Sequence, residues 1–234
     1  MTKLQEYLDN ITDKNKIKVI TSRRDKFIDD KDSSEVVFNY EGGDIDLSDF
    51  PNLEYIDLSG LHLFTPLTTL DLTNCANVET LIVSHNDLDS LDFLNELSSP
   101  KKLKELDITS NDVDIELKIF SKFTNLEKLR IGNSWGDIHQ QEVIDNELKT
   151  NWKYNRITGS LKPLKPLTKL IFLDFENTDI DDGIEHLSAS LVQVSRIKKA
   201  TRTFASGAIH CSDAINKELQ PFDYDIQSWK DANP

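Results

Sequence analysis

Cysteine is nearly absent: Cys75 and Cys211 are the only two in 234 residues. A pair so placed excludes a disulfide framework, and its isolation fits a reducing compartment. Glycine is scarce as well, eight in all, and neither a GxGxxG run nor a phosphate-cradling loop occurs. No segment approaches the roughly 20 apolar residues that cross a bilayer. The opening MTKLQEYLDNITDK has no apolar run of signal-peptide length. The expectation is a soluble, cytoplasmic chain, on which the acceptor match Asn10-Ile11-Thr12 is accidental. Positive charge is also in deficit, 27 Lys and Arg against 41 Asp and Glu, for a net charge of −14. That balance argues against nucleic acid and against an anionic membrane surface, and favours basic or neutral partners. Apolar residues reach only 38%, low for a compact globule, although the length allows a substantial core. Either an elongated shape with much surface or a domain with loose ends is expected.

Groups that would converge in an enzyme are missing too. His62, His85, His139, His186 and His210 lie far apart, none at metal-ligand spacing to another or to a cysteine. His210 and Cys211 are neighbours, which on a strand point to opposite faces. Asp112, Asp114 and Glu116 alternate as in a calcium loop, but the glycine that sharpens such a loop is lacking, so they read as solvated turn charges. Asp179, Asp181 and Asp182 read the same way. The basic run Arg196, Lys198, Lys199 and Arg202 is a local exception that dresses the end of the chain or meets an acidic partner. No cofactor, metal or catalytic residue is expected.

What is present is a repeat. VETLIVSHNDL (78–88) follows the pattern L-x-x-L-x-L-x-x-N-x-L. LEYIDLSGLHL starts at Leu53, LKELDITSNDV at Leu103, LEKLRIGNSWG at Leu126 and LIFLDFENTDI at Leu170. Successive starts are 25, 25, 23 and 44 residues apart, the last gap being close to a double period. A second match, IDLSDFPNL (45–53) with LDLTNCANV (70–78), lies 25 residues apart and sets Cys75 where Phe50 stands, as a small core residue. Each period thus holds two short extended pieces. Strand side chains alternate, so Leu81 and Val83 point inward while Thr80, Ile82 and Ser84 point outward. One turn cannot bury its own apolar row, so turns must stack. Asparagine at the ninth place bends the chain away and satisfies backbone groups left by the turn. Asn86 and Asn111 keep it, whereas Leu61, Ser134 and Thr178 stand there in the other copies.

A stacked coil exposes its core at both ends and needs caps. Residues 1–44 are expected to form a helical N-terminal cap, with Leu4, Tyr7 and Leu8 on one helix face, a polar mobile segment and an edge strand at Val36-Val37-Phe38. The coil proper is expected over 45–195, with LVQV (191–194) as a last degenerate copy, and a C-terminal cap or a lead into a further segment over 196–234. Residues 136–162 break the rhythm. Trp152 and Tyr154, with Trp135 just before, either fill the core of a degenerate turn or sit on a loop that projects toward a partner.

These residues resemble a leucine-rich-repeat protein. In finer detail IDLSDFPNL, YNRITGSLKPLKPLTKL (154–170), LDFENTDIDDGIEHL (173–187), LQEYLDN and SWKDANP resemble the large intracellular sets of such proteins in mycorrhizal fungi and their endobacteria. The resemblance implies a curved solenoid used for protein recognition, with the 136–162 irregularity as a family feature, and it brings no catalytic or binding residue. The fold class expected is therefore an α/β or mainly β solenoid of about 5–7 turns, with parallel strands on the concave face. The expected partner-binding residues are third-place Tyr55, Glu105, Lys128 and Phe172 and fifth-place Asp57, Ile82, Asp107, Arg130 and Asp174. Tyr and Arg are types enriched at interface hot spots. The expected function is a monomeric, non-catalytic module that binds a protein on that face. The alternative is a targeting or regulatory domain cut from a larger multidomain enzyme.

Overall fold

The computed structural model describes residues 3–22, 34–38, 42–60, 65–134, 142–144, 147–149, 154–194, 213–223 and 225–233. Five copies of the repeat each contribute one three-residue strand: β4 (Tyr55–Asp57), β6 (Thr80–Ile82), β7 (Glu105–Asp107), β9 (Lys128–Arg130) and β13 (Phe172–Asp174). The central residue of each, Ile56, Leu81, Leu106, Leu129 or Leu173, is fully buried, while its two neighbours are half-exposed. First-place and sixth-place residues complete the apolar row, from Leu53 and Leu58 to Leu170 and Phe175. Ser84 departs from simple alternation. It is buried, because the chain at the seventh place has already left the strand.

The five strands pair in parallel with β15 (Gln193–Val194) at one end and β1 (Val19–Ser22) then β2 (Glu35–Phe38) at the other, eight strands in all. The sheet therefore reaches further toward the N-terminus than the rhythm of the sequence. Ile17 and Ile20 take the first and fourth places of an additional copy, whose Ser22 replaces the sixth-place apolar residue. Val36 is buried in the edge strand. Ahead of them α1 (Lys3–Asp9) closes the coil with Leu4 and Leu8, leaving Tyr7 57% exposed rather than on the buried face. Gln5 ties the helix to the backbone of Asp46 through both its amide atoms.

The return side carries β3 (Gly43–Asp46) against β5 (Leu67–Asp71), with Ile45 opposite Leu70 as the second sub-motif requires. Cys75 packs there, its thiol donating to the Leu47 carbonyl at 3.2 Å, and burial pushes its pKa up to about 12. Short helical turns, α2 (Phe93–Glu96) and a 3-10 turn at Leu117–Lys122, bring Phe93, Phe120 and Phe123 into the core. A second small sheet joins β8 (Asp114–Ile115), β12 (Arg156–Ser160) and β14 (Asp179–Asp182). At the far end α3 (Asp213–Leu219) and α4 (Ile226–Ala232) bury Ile215, Leu219, Ile226 and Trp229.

The irregular stretch resolves into an excursion. β10 (Glu142–Ile144) and β11 (Glu147–Lys149) pair antiparallel with each other and with no other described strand. The chain is back in the coil by Asn155, so the tail of the 136–162 interval belongs to the repeat. Asn155, Ile157 and Leu161 are fully buried.

Asparagine explains where it returns. Asn86 donates to the Leu58 and Val83 carbonyls, one turn back and three residues back. Asn111 does the same with Val83 and Ile108. Asn155 donates to Ile108 at 2.8 Å and Ile131 at 3.2 Å, the pair a ninth-place residue at 134 would reach. Ser134 is thus not the rung of the fourth copy. Asn155 is. In the fifth copy Thr178 takes over, donating to the Phe175 carbonyl at 2.8 Å.

Candidate functional site: the open face of the sheet

Register decides which side chains share the face. The third-place row runs Val19, Tyr55, Thr80, Glu105, Lys128, Phe172, Gln193 across adjacent strands. The fifth-place row runs Thr21, Asp57, Ile82, Asp107, Arg130, Asp174. All nine residues expected from the sequence occupy these two rows, and all nine are half-exposed.

Four of them form a connected cluster. Glu105 accepts from Arg130 Nη1 at 2.6 Å and from Lys128 Nζ at 3.1 Å. The Arg130 guanidinium lies 4.8 Å from the centre of the Phe172 ring, within the range of a cation–π contact. Burial alone would raise the Glu105 carboxyl, but the two cations outweigh it and hold it below the ordinary glutamate value. The cations of the face are therefore already engaged by its own carboxylate.

The aspartates have a structural task besides. Asp57, Asp107 and Asp174 each accept, through Oδ1, the backbone N–H two residues on, at 3.0, 2.9 and 2.9 Å. Asp46 and Asp71 do so on the return side. This Asx turn bends the chain out of each short strand. Ile82 and Arg130 break the series. Burial pushes the Asp107 carboxyl above its ordinary value, although Thr109 and Arg130 pull the other way.

The second-place row, on the strand-start side, pairs its charges: Lys18 with Glu54 at 2.7 Å and Lys104 with Glu79 at 2.6 Å. A shallow groove of about 370 Å³ lies beside it, lined by Glu54, Glu79 and Lys104 with Asn77, Lys101, Lys102 and Asn125. The row ends on Ile171 and Val192, 38% and 66% exposed. No sequence pattern flagged these two, though both stand where earlier copies carry a charge.

Other expected positions fall elsewhere. Asp112 bonds Arg156 at 3.1 Å, and Asp114 and Glu116 are exposed. Tyr154 is half-buried, with the Arg156 guanidinium 5.7 Å from its ring. His186 lies 3.2 Å from Glu185. Among the described residues no three His, Cys, Asp or Glu side chains gather as a metal site. Trp135, Trp152, His62, His139, His210, Cys211 and the basic run 196–202 lie outside the described residues.

The stacked parallel strands, the inward apolar row and the asparagine rungs together decide the architecture. Its fold is that of a leucine-rich-repeat solenoid. Three solved structures of Listeria monocytogenes are similar to it. Internalin C2 matches at 19% identity over 64% of this chain and 54% of its own, with a TM-score of 0.46. The internalin InlF matches at 17% over 66% and 52%, TM-score 0.39. The functional domain of InlJ, which includes a cysteine ladder, matches at 18% over 63% and 44%, TM-score 0.24. The chain thus spans about half the length of these structures. No family profile and no curated protein matches the sequence.

Proposed function

We propose that this solenoid is a non-catalytic module that binds a protein partner along the open face of its sheet. The observation that carries the reading is the in-register display of Tyr55, Ile82, Arg130 and Phe172 among fixed carboxylates on one rigid surface. Aromatic and Arg anchors of this kind dominate interface energetics, and a pre-set face spends little on ordering them. The finer kinship with fungal and endobacterial repeat proteins rests on the sequence segments quoted above.

The test is a double substitution, Ile82→Asp with Arg130→Glu. Neither side chain belongs to the inward row, so circular dichroism and thermal melting should report a folded coil. The exchange removes the apolar side chain at 82 and the Arg130 guanidinium that lies over Phe172, and with these anchors gone capture of the partner from the native cell should be abolished. Tyr55→Ala serves as a milder companion. Capture equal to wild type by both folded variants would remove the open face as the binding surface.

A further inference from the structure

The face is not uniform in charge. Its C-terminal half holds both cations, Lys128 and Arg130, and each is bonded to Glu105. Its N-terminal half, from β4 to β7, holds Tyr55, Asp57, Thr80, Ile82, Glu105 and Asp107 and no cation in the two central rows. In the fifth-place row Ile82 stands between Asp57 and Asp107. Adjacent strands lie about 4.8 Å apart, so the two acidic positions are roughly 10 Å apart with an apolar floor between them. Tyr55 is the third-place residue of the strand beside Ile82. The Asx turns fix both carboxylates through Oδ1, so they are held in place before any partner arrives.

A lysine or arginine fits such a floor. Its methylene stem is apolar and its head is cationic, so the stem lies on Ile82 while the head reaches a carboxylate. A neutral apolar segment would take water from the acids without bringing a counter-charge, and an acidic one would be repelled. Resting on the reading of this face as a protein-binding surface, we propose that the partner presents an extended segment alternating basic and apolar side chains. One basic side chain seats over Ile82 between Asp57 and Asp107, and the Arg130–Phe172 cluster forms the wall beyond.

Fluorescence anisotropy on the full chain tests this with three fluorescein-labelled peptides: alternating lysine and leucine, glutamate and leucine, and serine and leucine. The lysine peptide should bind, the serine peptide should bind more weakly, and the glutamate peptide should not bind. Asp57→Asn with Asp107→Asn should weaken the lysine peptide about tenfold, the sum expected of two partly exposed charge pairs. Asparagine retains the Oδ1 acceptor, so the turns survive. Asp89→Asn with Asp181→Asn removes the same net charge from exposed positions off this face and should leave the affinity unchanged. Absent binding of the lysine peptide, equal binding of the glutamate peptide, or equal weakening by both double variants would overturn the proposal. A captured natural partner that is lost with Phe172→Ser but kept by Asp57→Asn with Asp107→Asn would end this seat while leaving the binding-module reading standing. Loss with neither variant would end both.

Discussion

At the residue scale two short polar side chains turn a row of three-residue strands into a coil. Asn86, Asn111 and Asn155 close their turns against the one before, and Asp57, Asp107 and Asp174 bend three of the five strands out of the sheet. In four of the five copies the eighth place takes a left-handed backbone, with φ of 72° at Gly60, 56° at His85, 54° at Ser110 and 57° at Asn177; Asn133, where the excursion leaves, does not. Asn86 and Asn111 could be read from the sequence because they stand at a fixed count from the apolar row. Asn155 could not, because the count is interrupted; its only local signature is N-x-I, matching N-x-L at 86 and N-x-V at 111. Asn155→Ala leaves the Ile108 and Ile131 carbonyls without that donor in a buried site, and should cost about 1–3 kcal/mol in urea denaturation. A loss under about 0.5 kcal/mol would remove Asn155 from the ladder. Asp107 permits a prediction of opposite sign. Burial is the largest influence on its carboxyl and raises its folded pKa, so the charged form is a penalty that folding carries. That penalty is absent below the ordinary carboxylate pKa and complete once pH has risen past the raised value. Asp107→Asn, which keeps the bond to the Thr109 N–H, should therefore stabilise the protein at pH 7 and lose its advantage toward pH 3. Equal effects at both pH values would contradict this.

At the scale of elements the period explains both what was legible and what was not. Strands β4, β6, β7, β9 and β13 follow from the apolar spacing, and their register places all nine expected face residues. Strand β1 was hidden because only Ile17 and Ile20 mark it and it lies off the 25-residue rhythm. The excursion had blurred limits for a related reason: its tail, 154–162, has strand character but lacks an L-x-x-L run. Its ends are held together. Asn155 N–H donates to Asn133 Oδ1 at 2.7 Å, and Asn133 donates to the Asn155 and Asn177 carbonyls. Asn133 is the eighth-place residue and Asn155 does the work of the ninth, so joining them directly would restore an uninterrupted repeat. Deletion of residues 134–154 should thus yield a folded coil with a single cooperative melt within a few degrees of wild type. Circular dichroism and calorimetry check this. A protein that fails to fold would show that the excursion supplies part of the core, as the filling role considered for Trp152 would have it.

At the scale of the molecule the coil is nearly one-dimensional, since each turn touches chiefly its neighbours. Stability should then be graded along the stack, with caps protecting the ends. Cap α4 is anchored by Trp229, 5% exposed, and by Lys230, whose ammonium donates to the Ser188 carbonyl of the last turn. Asp225 starts that helix by accepting from the N–H groups of Gln227 and Ser228. Trp229→Ala removes a large buried side chain, at a cost of about 3–5 kcal/mol if the whole chain unfolds as one unit. In a graded stack the cost is met locally instead. Hydrogen exchange read by mass spectrometry should then show protection falling first over 179–194, next to the damaged cap, less over β9, and unchanged over β4 and β6. The binding rows at Tyr55, Asp57 and Ile82 would keep their geometry, so the lysine–leucine peptide should still bind this variant with wild-type affinity. Protection lost equally from β1 to β15 would mean that the turns unfold together, and the end of the coil would then govern the face as strongly as its centre does.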